Sequence, residues 1–262
     1  MSEYTNFDVR HDDGVAYLAF DSETAMNTLN ETMTEELFEL VTAFAEDDDV
    51  RCIVLRGSDG VFCAGGNISS FEEDTSASTR MRRGASLLHD AVVQLKQAET
   101  PMVTGIDGPA VGAGFSFALL GDIVLMHEDA YLQYGYPGIG LPGDGSSTFY
   151  LPRLVGMQEA KRIALLNEKI PADEAADIGL VTEVASAETF EDRLTEIADQ
   201  LADGPTKALG RIVRMFEETY ARQLPDQLAA ETEGMAEIAR TDDYAEGVSA
   251  FKAKRKPEFE GR

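Results

Sequence analysis

The sequence feature that most constrains the fold is an apolar stretch interrupted by glycines at residues 100–126, TPMVTGIDGPAVGAGFSFALLGDIVLM. Its order predicts a short strand, a turn of glycine and proline, a helix opening at Gly112-Ala113-Gly114, and a second strand. The first amides of a helix lack intrahelical acceptors, so a glycine turn there can present an N–H to an oxygen that carries negative charge. Close packing of the helix on a strand would also explain the two glycines.

A second glycine turn, VFCAGGNI at residues 61–68, follows the apolar run CIVL at 52–55. Together the two turns resemble the paired signature of the crotonase (enoyl-CoA hydratase/isomerase) superfamily, roughly F-x-A-G-A-D-[LI] and then P-V-[IV]-A-A-V-x-G-x-A-x-G-G-G. The resemblance extends along nearly the whole chain. Further matches to family segments are Asn27-Thr28-Leu29, LPRLVG at 151–156 and ADIGLVTEV at 176–184.

The resemblance implies an α/β fold, a crotonase-type spiral of ββα units with a C-terminal helical trimerisation region. We expect residues 1–195 to form the spiral core with an acyl-CoA site and residues 196–262 to form the helical oligomerisation region. The family trimerises through this region, often as a dimer of trimers. Apolar periodicity by itself predicts two strands and six helices outside the central stretch. These are the strands 15–20 and 52–55 and the helices 32–45, 85–97, 188–202, 205–220, 224–240 and 244–254.

At 262 residues the chain is long enough to bury a substantial core. Its longest apolar runs fall well short of the ~20 residues that a membrane span needs. The polar start MSEYTNFD lacks a basic region followed by an apolar one, so we expect a cytoplasmic protein without a membrane partner. Cys52, Cys63 and the three histidines offer no metal-ligand spacing and no disulfide framework. We expect Cys63 to pack as a small hydrophobe.

The chain is strongly acidic, with 48 acidic residues against 22 basic ones and a net charge of −26. Only seven residues are lysines, and the acids are spread along the whole chain. Nucleic acid is disfavoured as a partner because phosphate binding requires a basic face. An acidic, lysine-poor surface resembles proteins of near-saturated salt, where charge repulsion is screened within ~3 Å at 1 M. We therefore expect a halophilic source, although an ordinary acidic protein can share this composition.

By residue matching, the resemblance implies that the N–H groups of Gly66 and Ala113 form an oxyanion hole for the thioester of an acyl-CoA substrate. No separate cofactor is implied, since coenzyme A is part of the substrate. Asn67 replaces the usual aspartate of the family in the stretch that lines coenzyme A. The residues implied to line the substrate in this stretch are Ala64, Asn67, Ile68 and Ser69.

Residues 69–83 are polar without a clear period and predict a flap over the substrate channel. Two basic clusters break the acidic background, RMRR at 80–83 and KAKRK at 252–256, and are candidates for contacting the phosphates of coenzyme A. Favourable charges at a helix C-terminus would explain part of the second cluster. In the family a C-terminal phenylalanine and lysine reach a neighbouring subunit's CoA site. Phe251 and Lys252 are the closest matches.

The two glutamates that activate water in the family's hydratases are absent from this chain. Ser116 occupies the first position and Gly138, directly after Pro137, the second. Neither is a carboxylate acid or base, which disfavours hydration by the two-glutamate route. Asp144 instead matches the aspartate of the isomerase-like pattern I-G-L-x-P-D-x-G. A helix-capping role for Asp144 before the run GSST is the alternative.

Asp144 also matches the nucleophilic aspartate of the 4-chlorobenzoyl-CoA dehalogenases, where His89 matches their histidine and Tyr136 their tryptophan. His89 can equally be an ordinary helix-face residue, and Tyr136 a residue that lines the site. The reaction favoured by these matches is double-bond isomerisation with Asp144 as the base. The alternatives are hydrolytic dehalogenation or thioester chemistry with Asp144 and His89, hydration by relocated acid and base groups, and a non-catalytic CoA-thioester-binding protein.

Overall fold

The structure, a computed structural model, describes residues 4–24, 26–70 and 76–262. Within these residues the strands are β1 (Phe7–Asp12), β2 (Val15–Phe20), β3 (Cys52–Arg56), β4 (Met102–Ile106), β5 (Ala110–Val111), β6 (Ile123–His127), β7 (Tyr131–Gln133), β8 (Ile170–Pro171) and β9 (Glu183–Ala185). The helices of the described chain are α1 (Glu31–Glu46), α2 (Ala77–Gln97), α3 (Ala113–Ala118), α4 (Ser147–Val155), α5 (Met157–Leu166), α6 (Ala172–Asp177), α7 (Phe190–Ala202), α8 (Thr206–Glu218), α9 (Leu224–Ile238) and α10 (Asp242–Ala253). Short 3₁₀ helices span Ile68–Ser70, Tyr136–Ile139 and Thr219–Ala221.

The larger sheet has the order β1-β2-β3-β4-β6-β9 and is parallel except for the β1–β2 pair. Its central strands are apolar on both faces, as expected for parallel strands covered on both sides. Because side chains alternate across a strand, Leu18 and Ile53 pack in the main core, whereas Tyr17 and Val54 pack in a second cluster with α7. The sheet therefore lies between two apolar layers.

A smaller sheet, of order β5-β7-β8, follows the central strand β4. It is joined to the first glycine turn by a bridge between Cys63 and Ala110. The stretch at residues 100–126 has the predicted arrangement, with β4, a turn, α3 and β6 in succession. Repeated strand-and-helix units of this kind build the predicted α/β spiral, and both glycine turns lie where its two sheets meet.

Helix α2 corrects the prediction for residues 69–83. The expected polar flap is helical from Ala77 onward, and residues 71–75 lie outside the described residues. Its buried side chains are all in the C-terminal half, from Leu88 to Leu95. The first turns have no buried face, so no apolar period marks them, although arginine and methionine favour helix there. The arginines of the first basic cluster consequently belong to a helix, and Arg83 pairs with Glu31.

The C-terminal region is helical, as predicted, and α7 to α10 lie within a few residues of the expected bounds. The expected division at 195/196 falls inside α7, which packs on the large sheet along its length. The last three helices leave large apolar side chains exposed on this single chain, among them Phe216, which is 70% exposed. The other exposed apolar residues here are Ile212, Leu224, Leu228, Met235, Tyr244 and Phe251.

Candidate active site

The first glycine turn, at residues 61–68, is held by the segment that contains Asn27. Leu29 donates its backbone N–H to Gly65 O at 2.8 Å and accepts from the N–H of Asn67 at 2.9 Å. The Asn27 side chain donates from Nδ2 to the carbonyl of Val61 at 2.9 Å. Gly65 has a φ of +85°, which favours glycine. The turn is therefore fixed on both sides of Gly66.

The second glycine turn connects β5 to α3 and lies directly against the first. Gly112 has a φ of +60°, and α3 begins at Ala113. A Cβ placed on Gly65 would be 2.8 Å from Val111 O and 3.3 Å from the backbone N of Ala113. A larger side chain at position 65 would separate the two turns, so glycine is required for their contact.

The contact brings the backbone amides of Gly66 and Ala113 into the same region. Among the described residues no acceptor binds either N–H. The amide of Ala113 is the first of α3 and has no intrahelical acceptor. Two unpaired, rigidly held N–H donors can stabilise an oxygen on which negative charge develops.

The loop at residues 141–147 carries Asp144 into the N-terminus of α4. Gly143, Gly145 and Ser146 have φ values of +106°, +57° and +77°, an unfavourable conformation for a non-glycine residue such as Ser146. Tyr134 donates its hydroxyl to the carbonyl of Pro142 at 2.9 Å, which anchors the start of the loop. The surrounding contacts therefore hold this loop in a strained shape.

The carboxylate of Asp144 accepts a hydrogen bond at Oδ1 from the Tyr136 hydroxyl at 2.8 Å. The first amide of α4, that of Ser147, instead bonds to the backbone carbonyl of Asp144 at 3.1 Å. Within the described residues the Asp144 carboxylate forms no capping bond to α4, whose N-cap position is Ser146. The Asp144 carboxylate is therefore not used to cap α4.

Tyr136 is buried and its hydroxyl also lies 2.8 Å from Ser116 Oγ. Burial, reinforced by the negative charge of Asp144, raises the pKa of Tyr136 well above its usual range. The phenol therefore stays protonated and serves as a donor. Ser116 is fully buried, so this contact lies inside the protein rather than at its surface.

His89 lies on α2 and is exposed, but its Nε2 atom accepts a hydrogen bond from the backbone N–H of Gly145 at 3.2 Å. A backbone N–H can only donate, so Nε2 uses its lone pair in this bond. The structure therefore brings His89, Tyr136, Ser116 and Asp144 together around one loop.

Comparison with known proteins identifies the arrangement. The sequence profile described as Enoyl-CoA hydratase/isomerase matches residues 10–262. The chain belongs to the enoyl-CoA hydratase/isomerase family. This confirms the crotonase resemblance inferred from the two glycine turns.

Relatives with three different activities in their names resemble the chain. A probable enoyl-CoA hydratase of Rhodobacter capsulatus is 35% identical over 251 residues, covering 95% of this chain and 96% of the relative. The 1,2-epoxyphenylacetyl-CoA isomerase of Escherichia coli is 32% identical with the same coverage, 95% and 96%. 4-Chlorobenzoyl coenzyme A dehalogenase-2 of Arthrobacter is 32% identical over 248 residues, covering 94% and 90%. Identities this similar do not select one reaction.

The fold is confirmed by solved structures of the family. A crystal structure of enoyl-CoA hydratase from Bacillus anthracis matches with a TM-score of 0.91 and 26% identity. The match covers 98% of this chain and all of that one, 100%. Nearly the whole chain, including its C-terminal helices, thus shares the family architecture.

The two positions that the resemblance assigns to hydratase glutamates have different surroundings. Ser116 is buried and bonded to Tyr136, whereas Gly138 lies exposed in the 3₁₀ helix Tyr136–Ile139. The carboxylate that is hydrogen-bonded to Tyr136 is that of Asp144. A water molecule held between two glutamates has no equivalent among these residues.

The residues implied to line coenzyme A lie in and directly after the first glycine turn. Ala64 is partly buried in the turn, where its N–H donates to Met26 O at 3.0 Å. Asn67 Oδ1 accepts from Ser69 Oγ at 2.5 Å, and Ile68 is 55% exposed. These three residues thus form an accessible rim beside Gly66. Their contact with coenzyme A remains a prediction.

Phe251 and Lys252 lie on α10, far along the chain from the glycine turns. They line an open cleft between α8, α9, α10 and the C-terminal Phe259. Phe251 is 86% exposed. None of the residues described around this cleft belongs to the Asp144 loop, so within one chain the structure does not bring these two residues to the site.

Sequence reasoning missed the supporting role of Asn27, a buried residue with a φ of +48°. Its Oδ1 accepts from the N–H of Ser22, while Nδ2 holds the segment before Gly66 through the carbonyl of Val61. The signal was present in the Asn-Thr-Leu match to the family. Tyr134, which anchors Pro142, carried no such signal because an aromatic residue there equally fits core packing.

Both cysteines are buried, and burial raises the pKa of each thiol to about 12. Cys63 is therefore an unreactive packing residue, as expected, although it lies beside the site. The described residues contain no cluster of histidine, cysteine and carboxylates suited to a metal ion. In the same part of the chain, no helix has the length and apolar character to span a bilayer.

Proposed function

We propose that this protein isomerises the double bond of an enoyl-CoA thioester, with Asp144 as the base. The N–H groups of Gly66 and Ala113 bind the thioester oxygen. Asp144 removes a proton from the carbon next to the carbonyl, and the electron pair delocalises onto that oxygen. The same carboxyl group returns the proton to the far end of the conjugated system, so one base suffices.

The two backbone N–H donors make the substrate carbon next to the carbonyl easier to deprotonate, so no separate cofactor is needed. An enolate carries its charge on oxygen, and preorganised N–H donors stabilise that charge in a site that excludes water. Loss of one such donor costs on the order of 3–4 kcal/mol in transition-state stabilisation. Coenzyme A belongs to the substrate.

The observation that carries the proposal is that Asp144 supplies a carboxylate near Ser116, while the two hydratase positions supply none. Ser116 and Gly138 occupy the two hydratase positions, and neither can donate or accept a proton as a carboxyl group. Asp144 is hydrogen-bonded into the same group of side chains through Tyr136. A single carboxylate can move a proton between two carbons, whereas hydration by the two-glutamate route needs a pair. The arrangement therefore favours proton transfer over addition of water.

Dehalogenation or hydrolysis, with Asp144 as nucleophile and His89 as base for water, is the second candidate. It is favoured by the Arthrobacter dehalogenase relative and by the proximity of His89 to Gly145, next to Asp144. The same bond weakens it, because Nε2 is already occupied by the Gly145 N–H. Hydration by relocated groups, and CoA-thioester binding without turnover, remain further alternatives.

We also propose that the protein is a cytoplasmic homotrimer or dimer of trimers that works in high salt. The exposed apolar residues of α8 to α10, such as Phe216, support assembly, because monomers rarely leave such patches uncovered. In the assembly Phe251 and Lys252 of one subunit would contact coenzyme A in the next. Acidic surface charge of this density supports the halophilic source.

A mass-spectrometric screen of CoA thioesters at high salt tests the proposal. β,γ-Enoyl, α,β-enoyl, epoxy and haloaryl thioesters are each incubated with the purified protein. Isomerisation gives a product of unchanged mass and altered retention, hydration adds one water, and dehalogenation releases halide. A product with an added water as the main outcome, or a halide, overturns the isomerase proposal. Binding without any product favours the non-catalytic alternative.

A further inference from the structure

Three oxygen-bearing side chains form a hydrogen-bonded chain that ends at the proposed base, Asp144. Ser116 Oγ lies 2.8 Å from the Tyr136 hydroxyl, and the Tyr136 hydroxyl lies 2.8 Å from Asp144 Oδ1. Ser116 is completely buried and Tyr136 nearly so, whereas Asp144 is only half-buried. The chain therefore runs from the protein interior to a carboxylate at the edge of the site.

The number of protons fixes the direction of these bonds. A carboxylate oxygen has no proton to give, so the contact with Oδ1 uses the single proton of Tyr136. The Tyr136 oxygen can then only accept in its contact with Ser116, and the single proton of Ser116 is shared between that oxygen at 2.8 Å and the backbone carbonyl of Asp144 at 2.9 Å. The same backbone carbonyl of Asp144 also accepts from the N–H and the hydroxyl of Ser147, at 3.1 and 2.9 Å.

The two oxygens of the Asp144 carboxylate consequently differ. Oδ1 is held by Tyr136, while no donor among the described residues contacts Oδ2. A hydrogen bond fixes one oxygen and so fixes the rotation of the whole carboxylate about its Cβ. The loop that carries it is strained and is anchored independently by Tyr134 at Pro142.

We propose that Tyr136 is a positioning residue that selects Oδ2 of Asp144 as the proton-transferring atom, with Ser116 orienting the Tyr136 hydroxyl. This inference rests on the proposed function of Asp144 as the base. Ser116 also stands at the first of the two positions that the resemblance assigns to a hydratase glutamate.

The central variant is Tyr136→Phe, which keeps the ring and removes the donor. We expect kcat on an isomerised enoyl-CoA to fall about 10- to 100-fold with KM nearly unchanged, since misorientation of a reacting group affects chemistry more than binding. The acid limb of the kcat–pH profile should move upward, because a donor to a carboxylate favours its ionised form.

Two other tyrosines provide matched controls. Tyr131→Phe makes the same chemical change on the neighbouring strand β7, away from the Asp144 loop, and should leave kcat and the profile unchanged. Tyr134→Phe removes an anchor of the loop but no donor to the carboxylate. It should lower activity without moving the acid limb, which separates positioning of the carboxylate from general loop stability.

Ser116→Ala is the second test and guards against poor folding of the Tyr136 variant. Removing the Ser116 proton weakens the bond that Tyr136 donates, so the acid limb should move in the same direction by a smaller amount. An unmoved acid limb in both Ser116→Ala and Tyr136→Phe, or an undiminished kcat in the latter, overturns the inference.

The Asp144→Asn variant separates failure of this inference from failure of the proposed function. If Asp144→Asn retains turnover, the base is wrongly assigned and the proposed function fails whatever Tyr136 does. If Asp144→Asn is inactive and Tyr136→Phe behaves like the wild type, Asp144 remains the base and only the positioning role is wrong.

Discussion

His89 Nε2 accepts a hydrogen bond from the backbone N–H of Gly145, the residue after Asp144, across 56 positions of sequence. The bond ties helix α2 to the loop that carries the proposed base. It requires the lone pair of Nε2, which a general base would need for the proton of water. The geometry thus favours a supporting role for His89.

Two variants of His89 separate support from base catalysis. In His89→Gln the side-chain carbonyl can still accept from the Gly145 N–H, so isomerisation should slow only mildly. In His89→Leu that acceptor is lost, and the loop should be less well held, with a larger loss of activity. Steady-state rates of both variants give the comparison. Accumulation of a covalent adduct on Asp144 in His89→Gln, seen by intact mass, would favour the nucleophilic mechanism instead.

Replacing the base should abolish turnover without abolishing binding. Asp144→Asn keeps the shape and an oxygen for Tyr136 but cannot take a proton at neutral pH, so kcat should fall on the order of 10³-fold. Affinity for a CoA thioester, measured by calorimetry, should stay within a few fold. Asp90→Asn makes the same change at an exposed position next to His89 and should behave like the wild type. Comparable activity in both variants excludes Asp144 as the base.

Restoring one hydratase glutamate should not create a hydratase. Ser116 is completely buried, and Ser116→Glu would place a second carboxylate near Asp144 and in contact with Tyr136. Burial of an unpaired charge is unfavourable, and Gly138 still lacks the partner carboxylate. We expect a lower melting temperature and no efficient addition of water in a hydration assay. A stable Ser116→Glu variant with rapid hydration would show that the second carboxylate is dispensable.

A half-buried ionic cluster joins the core to the C-terminal helices. Lys96 on α2 pairs with Asp122 at 3.2 Å and with Glu217 of α8 at 2.8 Å, and Tyr150 of α4 donates to Glu217 at 3.1 Å. Burial lowers the pKa of Lys96, but Asp122 and Glu217 outweigh it and raise that pKa above its usual value. The ammonium is therefore charged throughout the physiological range.

Lys96→Met should destabilise the protein by up to about 3 kcal/mol, the lower end of the cost of breaking a buried ion pair, because two half-buried carboxylates lose their counter-ion. A lysine with a raised pKa stabilises the fold below the unfolded value of ~10.4, and that contribution is lost as pH rises through the folded value. Denaturant unfolding at neutral pH measures the loss. Lys161→Met, at an exposed lysine of α5, is the matched control. Equal stability of the two variants would show that the cluster is not stabilising.

Local patterns predicted the elements but not the contacts between them. Glycine turns and apolar periods located β4, α3 and the four C-terminal helices, because these signals lie within one short stretch of sequence. The bond from His89 to Gly145 joins distant segments, and Lys96 occupies a helix position whose partners Asp122 and Glu217 come from other elements. Such contacts between distant residues depend on tertiary packing, so no local sequence pattern predicts them. Asp144 was found through its motif, whereas its bond to Tyr136 required the folded loop.

The final prediction connects the net charge of −26 to binding of a polyanionic substrate. Low salt leaves repulsion between subunits and between protein and coenzyme A unscreened, since the Debye length grows from ~3 Å at 1 M to ~10 Å at 0.1 M. As KCl falls from about 3 M to about 0.2 M, the oligomer should dissociate and the KM for acyl-CoA should rise. Light scattering and steady-state kinetics follow the two changes.

Two lysines of α10 and its C-cap, Lys252 and Lys254, should reduce this repulsion at the coenzyme A site. Replacing both by glutamine should raise KM most at moderate salt and least at multimolar salt, where their attraction to phosphate is itself screened. Replacing Lys161 and Lys169 by glutamine changes the net charge equally at sites away from α10 and should raise KM less. If KM and oligomer mass are independent of salt, or if the two double variants respond alike, the acidity does not govern binding and the basic C-terminus does not contact coenzyme A.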